Sequence, residues 1–393
     1  MPSVTVLGAH GPVTLQLSSA QQAAIAQQLA AVVNAGIVAG TITPVEAVGV
    51  GAPPLPPGVT GELVIQKSGP EVLSPGYGVV VANAANVVVF GDGQQNQIVL
   101  SGKGGLTDIT NGGSGTIVAG GGSNALYTSG GDWYVATGGG NDSIVAGGSG
   151  DTIAAGLGNN QIVLGRGTAL IATTGLDLIQ GGSGAATVAV GTSGHAYYQG
   201  GSGTLLFIDS GMGSTVMGGT GSETIFGSTG QYTGGSNGNN LIYGGGTLTG
   251  GGAGDSLFAT GSAGTVLQAG SGNETLSAAL SLGKDTLIAG LGADSLVAGY
   301  AQATLVANIG ADTLVGGGSS DTFVFNAATS GGTILIQDFT GADVVHLSGY
   351  DQNEAHNAVL NARIGAAGVT LTLHDNTKIT FAGITDANRI TFG

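Results

Sequence analysis

An all-β fold, a parallel β-roll or β-solenoid, is what the sequence predicts for most of its 393 residues. Three observations predict it. Glycine accounts for 80 residues, and each interior glycine costs a helix about 1 kcal/mol relative to alanine. Short aliphatic runs, such as Val79-Val80-Val81 and Val87-Val88-Val89-Phe90, alternate with Gly, Ser, Asn and Asp turns. The third observation is a step of nine. Asp142, Asp151 and Asn160 are nine apart, each followed two residues later by Ile144, Ile153 and Ile162. Asp285, Asp294, Ala303, Asp312 and Asp321 keep the same step, with Leu287, Leu296, Leu305, Leu314 and Phe323 behind them. A fixed period marks a repeat in which one unit cannot bury its apolar residue alone, but stacked units can. The aliphatics at the ninth position are expected to stack into a single hydrophobic column.

The elements follow in order. Residues 1–58 are expected to form a small N-terminal unit. Val4, Val6 and Leu7 read as a strand. Ser18 or Ser19 is placed to cap a helix from about Ala20 to Asn34, with Gly36 as its stop. Ile25, Leu29 and Val32 make one stripe on that helix. The stripe suits packing on its own domain, or docking on an assembly partner. Pro53 to Pro57 belong to a stiff, extended linker. Residues 59–325 then carry the solenoid, in which two nonapeptides complete one coil and coils stack at the ~4.8 Å strand spacing. Between the regular blocks the period slips, at Val188 and Tyr197, Val216 and Ile225, and Leu248 and Leu257. Residues 326–393 form a C-terminal β cap. There Phe323, Phe325 and Phe339 are expected to close the open end, and Val369–Leu373 with Lys378–Phe381 read as a hairpin turning at Asp375-Asn376.

Composition narrows the function classes. With 41% hydrophobic and 8% charged residues the chain is too apolar for an acidic disordered tail. Its net charge of −16, with seven Lys and Arg, argues against nucleic acid as a partner. The absence of cysteine removes disulfides, thiolate metal sites and cysteine nucleophiles together. The first residues lack a basic region followed by an apolar core, so no Sec leader is expected. No apolar run reaches the ~18 residues of a transmembrane helix.

Gly138-Gly139-Gly140-Asn141-Asp142-Ser143-Ile144 and Gly290-Leu291-Gly292-Ala293-Asp294-Ser295-Leu296 resemble the RTX repeat GGxGxDxUx, where U is a large apolar residue. The sequence Asp321-Thr322-Phe323-Val324-Phe325, then Asp338-Phe339, then Gly341-Ala342-Asp343 before Leu347-Ser348-Gly349, is similar to the C-terminal module of secreted RTX metalloproteases of the serralysin type. The resemblance covers about residues 111–393. It implies Ca²⁺ bound in the turns, type I secretion from a bacterium, and a secretion signal in Ile384 to Gly393. It also implies that facing turns one coil apart share an ion, so partners stand two nonapeptides apart. Asp294 with Asp312 and Asp142 with Asn160 meet this; Asp285 and Asp321 are interrupted by Ala303, and Asp151 faces Ala169. Position six also falls on Ala186, His195 and Ser214. Asp338 and Asp343 would hold one more ion or cap a turn. Ca²⁺ prefers six to eight oxygen ligands, which carboxylates and turn carbonyls supply.

No catalytic constellation accompanies the repeats. The five His residues form no HExxH zinc motif. Gly234-Gly235-Ser236-Asn237-Gly238 matches GxSxG, but such matches arise by chance in a Gly-rich and Ser-rich chain. Glu354 and His356 read as a solvated loop, and Trp133 as packing or a ligand face. The expected function is therefore non-enzymatic. It is a secreted, Ca²⁺-binding structural protein at the cell surface, assembling with its own copies into an S-layer, filament or matrix, or serving as an adhesin for a surface glycan. The competing class is a secreted polysaccharide hydrolase using carboxylates such as Asp209 and Glu223.

Overall fold

A computed structural model describes all residues except 103, 212 and 330. Strands take 48% of the chain and helices 7%, so the all-β class holds. Two compact units divide it, Met1–Thr204 and Leu205–Gly393.

Unit 1 opens with an antiparallel hairpin of β1 (Ser3–Gly8) and β2 (Gly11–Gln16). Helix α1 (Ala20–Val38) follows. The Ser19 hydroxyl accepts the Gln22 amide, and Gln22 Oε1 accepts the Ser18 amide, close to a capping box. Gly36 does not stop the helix, which runs to Val38. A Cβ at Gly36 would meet the Ile42 side chain at 2.6 Å, so glycine serves close packing there. The expected stripe is also displaced. The buried face is Gln22, Ala23, Ala26, Ala30 and Val33, while Val32 is 64% exposed. Small alanines let the helix lie low on a flat sheet, and Ile25 and Leu29 reach it from the flank. The receiving surface is an outward row of successive coils: Val64, Val81, Leu100, Val118 and Ala136. The helix thus packs on its own unit.

The coils of unit 1 are parallel and alternate between two faces. Ile42–Glu46 already pairs with Thr60–Ile65. Ser143–Gly148 pairs with Gln161–Leu164, and Gly150–Ala155 with Thr168–Thr173, each the second nonapeptide on. Ile144, Ile162 and Ile179 line one face of the core and Ile153, Ile171 and Val188 the other, all fully buried. Gly158 has φ +118, and a Cβ there would stand 1.8 Å from the Gly140 carbonyl of the previous coil. Only glycine fits such a turn. From Gln161 to its partner Leu178 the coil is one residue shorter, which shifts the register. The next coil, from Leu176 to its partner His195, is one residue longer, so Tyr198 rather than Tyr197 points inward, and Tyr197 is 37% exposed.

Unit 2 continues the plan within its own residues. Leu287, Leu305 and Phe323 stack in register on one face, Leu296 and Leu314 on the other, and all five are fully buried. The single column expected from the ninth residue is two columns sharing one core. In its C-terminal part Gly368–Thr372 and Lys378–Ala382 form the expected hairpin, with Asn376 at φ 70 in the turn. Phe339 packs 5.9 Å from Phe323 and 5.0 Å, edge-on, from Phe381. A short helix α2 (Glu354–Leu360) occupies the stretch expected to be a solvated loop. The last residues return to the sheet through a bridge between Phe392 and Val345.

Candidate functional site

The acidic residues singled out by sequence lie in rows at the corners where strands begin. Asp142, Asp151, Asn160, Asp285, Asp294, Asp312, Asp321 and Asp343 are all buried. Each turns a side-chain oxygen to a backbone N–H of the preceding coil. Asn124 N–H donates to Asp142 Oδ1 at 2.8 Å, Asp142 N–H to Asn160 Oδ1 at 3.0 Å, and Asn160 N–H to Asp177 Oδ1 at 2.9 Å. In the same way Asp151 accepts from Trp133, Asp285 from Thr265, Asp321 from Ala303 and Asp343 from Asp321. Trp133 is itself buried in the core, which settles it as packing. Asp338 uses both oxygens on the amides of Gly316 and Gly317, a capped turn. The rows replace sheet hydrogen bonds that the turns interrupt.

Unit 2 holds the longest row: Glu223, Asn240, Asp255, Glu274, Asp294 and Asp312. Glu223 N–H donates to Asn240, Asn240 N–H to Asp255, Glu274 N–H to Asp294, and Asp294 N–H to Asp312. Sequence spacing missed Glu223, Asp255 and Glu274 because coil length varies there. Thr224 pairs with Leu241, Leu241 with Ser256, Ser256 with Thr275 and Thr275 with Ser295, no two of these steps alike. In unit 1 it missed Asn124 and Asp177, and His195 is displaced from the row by Ala196.

Whether these corners fit Ca²⁺ follows from where their oxygens point. For the best expected pair, Asp294 accepts Glu274 N–H and Gly290 N–H, and Asp312 accepts Asp294 N–H and Asn308 N–H. The turn carbonyls beside them are engaged as well. Gly270 accepts from Leu291, Leu291 from Gly272, Gly292 from Ala311, and Ile309 from Gly292. A Ca²⁺ site needs these oxygens to converge on one point free of N–H donors. Here donors surround the carboxylates, so the pair does not fit the ion. At the Asp142–Asn160 pair Asp142 Oδ2 is left without a hydrogen-bond partner, one oxygen where Ca²⁺ takes six to eight. Asp142 Oδ1 takes both the backbone and side-chain N–H of Asn124, and Asn160 turns its oxygen to the Asp142 amide. Among the described residues no group of three or more His, Asp or Glu is gathered for a metal.

Several buried carboxylates instead lack donors. Both oxygens of Glu62, Asp108 and Glu274 are buried without a hydrogen-bond partner. Burial pushes Glu62 and Asp108 up to about 7. Burial, and then the neighbouring carboxylates of Asp294 and Asp255, push Glu274 up to about 8. Asp177 rises to about 6, again chiefly through burial. As pH falls below neutral such groups take up protons well before ordinary carboxylates do.

The carboxylates considered for hydrolysis are likewise inside. Asp209 accepts from Gly211 N–H, Ser214 N–H and the Tyr232 hydroxyl. Glu223 accepts from the amides of Gly219 and Gly235. Ser236 of the GxSxG match donates to the Gly219 carbonyl across a turn. Glu354 is no loop residue; it opens α2 and binds both the backbone N–H (2.7 Å) and Nδ1 (3.0 Å) of His374, which pins the helix to the C-terminal hairpin.

Among the outward positions of the solenoid are two apolar rows. In unit 1 Val72, Phe90, Ile109, Tyr127, Val145 and Val163 follow one another in register on neighbouring strands. Val72, Phe90 and Tyr127 are 48%, 39% and 41% exposed. In unit 2 Ile208, Phe226, Tyr243 and Phe258 form a second row. Its rings stack at 5.6 and 4.5 Å, nearly parallel, covering one another's faces and leaving edges to solvent. Compared with protein-family models, curated proteins and solved structures, the chain matches none. No described helix is long and apolar enough to cross a membrane.

Proposed function

We propose that this protein is a non-catalytic structural scaffold, exported to the bacterial cell surface, that assembles with its own copies into a layer, filament or matrix. The observation that carries this reading is the pair of exposed apolar rows. Each is straight because parallel coils repeat the same outward position, and monomeric soluble proteins rarely expose contiguous apolar patches of this kind. A flat sheet face with in-register rows is self-complementary to a second copy. Export in the manner of RTX proteins rests on the repeat units and the C-terminal order of residues described above. Calcium is left out of the reading, since both oxygens of Asp294 and both of Asp312 already face amide donors.

Sedimentation velocity and electron microscopy test it. The full chain is expected to form ordered assemblies, equally in Ca²⁺ and in chelator. The triple change Phe226→Ser, Tyr243→Ser and Phe258→Ser is expected to shift most of the material to monomer without altering circular dichroism. A wild-type chain that stays monomeric at every concentration, or that cleaves a glycan, contradicts the reading.

A further inference from the structure

Two asparagines of the chain are followed by glycine, Asn111 and Asn237, the second within the GxSxG match. Such a step is open to attack by the glycine nitrogen on the asparagine side chain, because no Cβ shields that nitrogen. Both asparagines are exposed, and neither side chain makes a hydrogen bond within the chain. The turns around them differ. Gly238 is buried and its nitrogen is packed. A Cβ on Gly252 of the following coil would stand 2.5 Å from that nitrogen, and a Cβ on Gly238 itself 2.0 Å from the Ala253 carbonyl. Asn239 N–H donates to the same carbonyl at 3.0 Å, and the Gly238 carbonyl accepts the Ser222 hydroxyl at 3.0 Å. The Asn237 step is thus clamped by its neighbours. Gly112 is only half-buried, and a Cβ there would find nothing nearer than Gly93 Cα at 3.8 Å. Gly130 of the following coil approaches it from the Cα and carbonyl side, away from the nitrogen. The Gly112 N–H is held by one contact, the hydroxyl of exposed Ser129 at 3.0 Å. Asn111 has φ 53, and Gly112 and Gly113 follow at 102 and 75. The two glycines give this turn the freedom that ring closure needs.

We infer that Asn111 is a site of self-modification, deamidating through a succinimide in the folded chain, while Asn237 is protected by packing. The Gly112 nitrogen forms a bond to Asn111 Cγ and gives its proton to solvent. The Cγ–Nδ2 bond breaks, and the nitrogen leaves as ammonia after taking up a proton. Water then opens the five-membered ring. Addition at Cγ yields aspartate; addition at the α-carbonyl yields isoaspartate, with the main chain rerouted through the side-chain carbons. Water is the only co-reactant, and neither oxidation nor reduction takes place. Local opening of the Ser129 contact frees the nitrogen, and a single exposed hydroxyl is a weak restraint on such opening. The product adds one negative charge two residues beyond Ile109 of the exposed row. The modification itself does not depend on assembly; the reacting atoms lie within one unit.

Peptide mapping by mass spectrometry, after incubation of the full chain in mildly alkaline buffer, tests it. In the native chain Asn111 is expected to convert at least tenfold faster than Asn237, with isoaspartate among the products. In chain denatured by urea the two are expected to react alike, since both precede glycine and only packing separates them. Asn111→Gly tolerates the positive φ and should abolish the mass gain in that peptide. Ser129→Ala removes the one acceptor of the Gly112 N–H and should speed conversion several-fold. A native chain that keeps Asn111 intact while the denatured chain converts it overturns the inference. So does conversion of Asn237 in the native chain as fast as Asn111. A folded Ser129→Ala chain that converts no faster than the wild type contradicts the assigned restraint.

Discussion

Acidification from pH 8 to pH 5 raises the melting temperature of the full chain. Most proteins behave in the opposite way, because their paired carboxylates must be protonated to unfold. Here the decisive carboxyls are buried without donors. Glu62 and Asp108 are pushed by burial up to about 7, and Glu274, by burial and its acidic neighbours, up to about 8. Their unfolded values are 4.5, 3.8 and 4.5. The folded-state values lie above the unfolded ones, so the native chain binds these protons more tightly. The stability they carry is fully present below about pH 4 and is lost as pH rises toward 7 to 8. Each such proton contributes about 1.4 kcal/mol per pH unit inside its window. A total gain on the order of 3 kcal/mol or more between pH 8 and pH 5 is expected, read from denaturant titrations.

Two substitutions localise the effect. Asp108 occupies an inward position between Val89 and Leu126, so it interrupts the apolar core. Asp108→Val restores the column and should stabilise by about 1–3 kcal/mol at pH 8, where an unpaired buried charge costs most. Glu274→Gln removes the charge beside Asp294 and should flatten the pH profile further. The sign also separates protons from calcium. A roll held by Ca²⁺ needs ionised carboxylates and gains stability as pH rises. Stability that grows with pH, or that collapses in chelator, contradicts the corner geometry described here.

The second large effect concerns the columns. Leu305 is fully buried between Leu287 and Phe323, each in register with it on the neighbouring coil. Leu305→Ala removes contacts to both neighbours and leaves a cavity that rigid coils cannot close. A loss of about 2–5 kcal/mol is expected. Thr304→Ala, one residue away and on the outward side, should change stability by no more than about 0.5 kcal/mol. Equal effects at the two positions would show that the inward and outward assignments are wrong.

The columns were legible because large aliphatics recur at a fixed step among small residues, and that step has one physical explanation. The corner rows were legible only where each coil is two full nonapeptides. From Glu223 to Glu274 the coil length varies, and a fixed step cannot follow it. The role of the acids was not legible at all. An Asp that accepts amides from the coil before it and an Asp that ligates a cation have the same spacing. The site of α1 was hidden for a different reason. Its landing row, Val81, Leu100, Val118 and Ala136, occupies outward strand positions that alternate with core residues. Nothing in the local pattern says which outward rows are covered. Its buried face is alanine, which a search for large apolar residues passes over.

The fold rests on the geometry of the coil: successive nonapeptides lie on opposite faces, and the same face returns after two. The chain lacks cysteine, so paired cysteines can be labelled with pyrene alone. Thr286 and Thr304 are in register on adjacent coils. Ser295 lies midway in sequence, on a strand that pairs instead with Thr313. The pair Thr286→Cys with Thr304→Cys should show strong excimer emission, since neighbouring strands are ~4.8 Å apart. The pair Thr286→Cys with Ser295→Cys should show monomer emission only, although it is closer in sequence. Excimer from the pair closer in sequence, or none from the pair on adjacent coils, would contradict the solenoid.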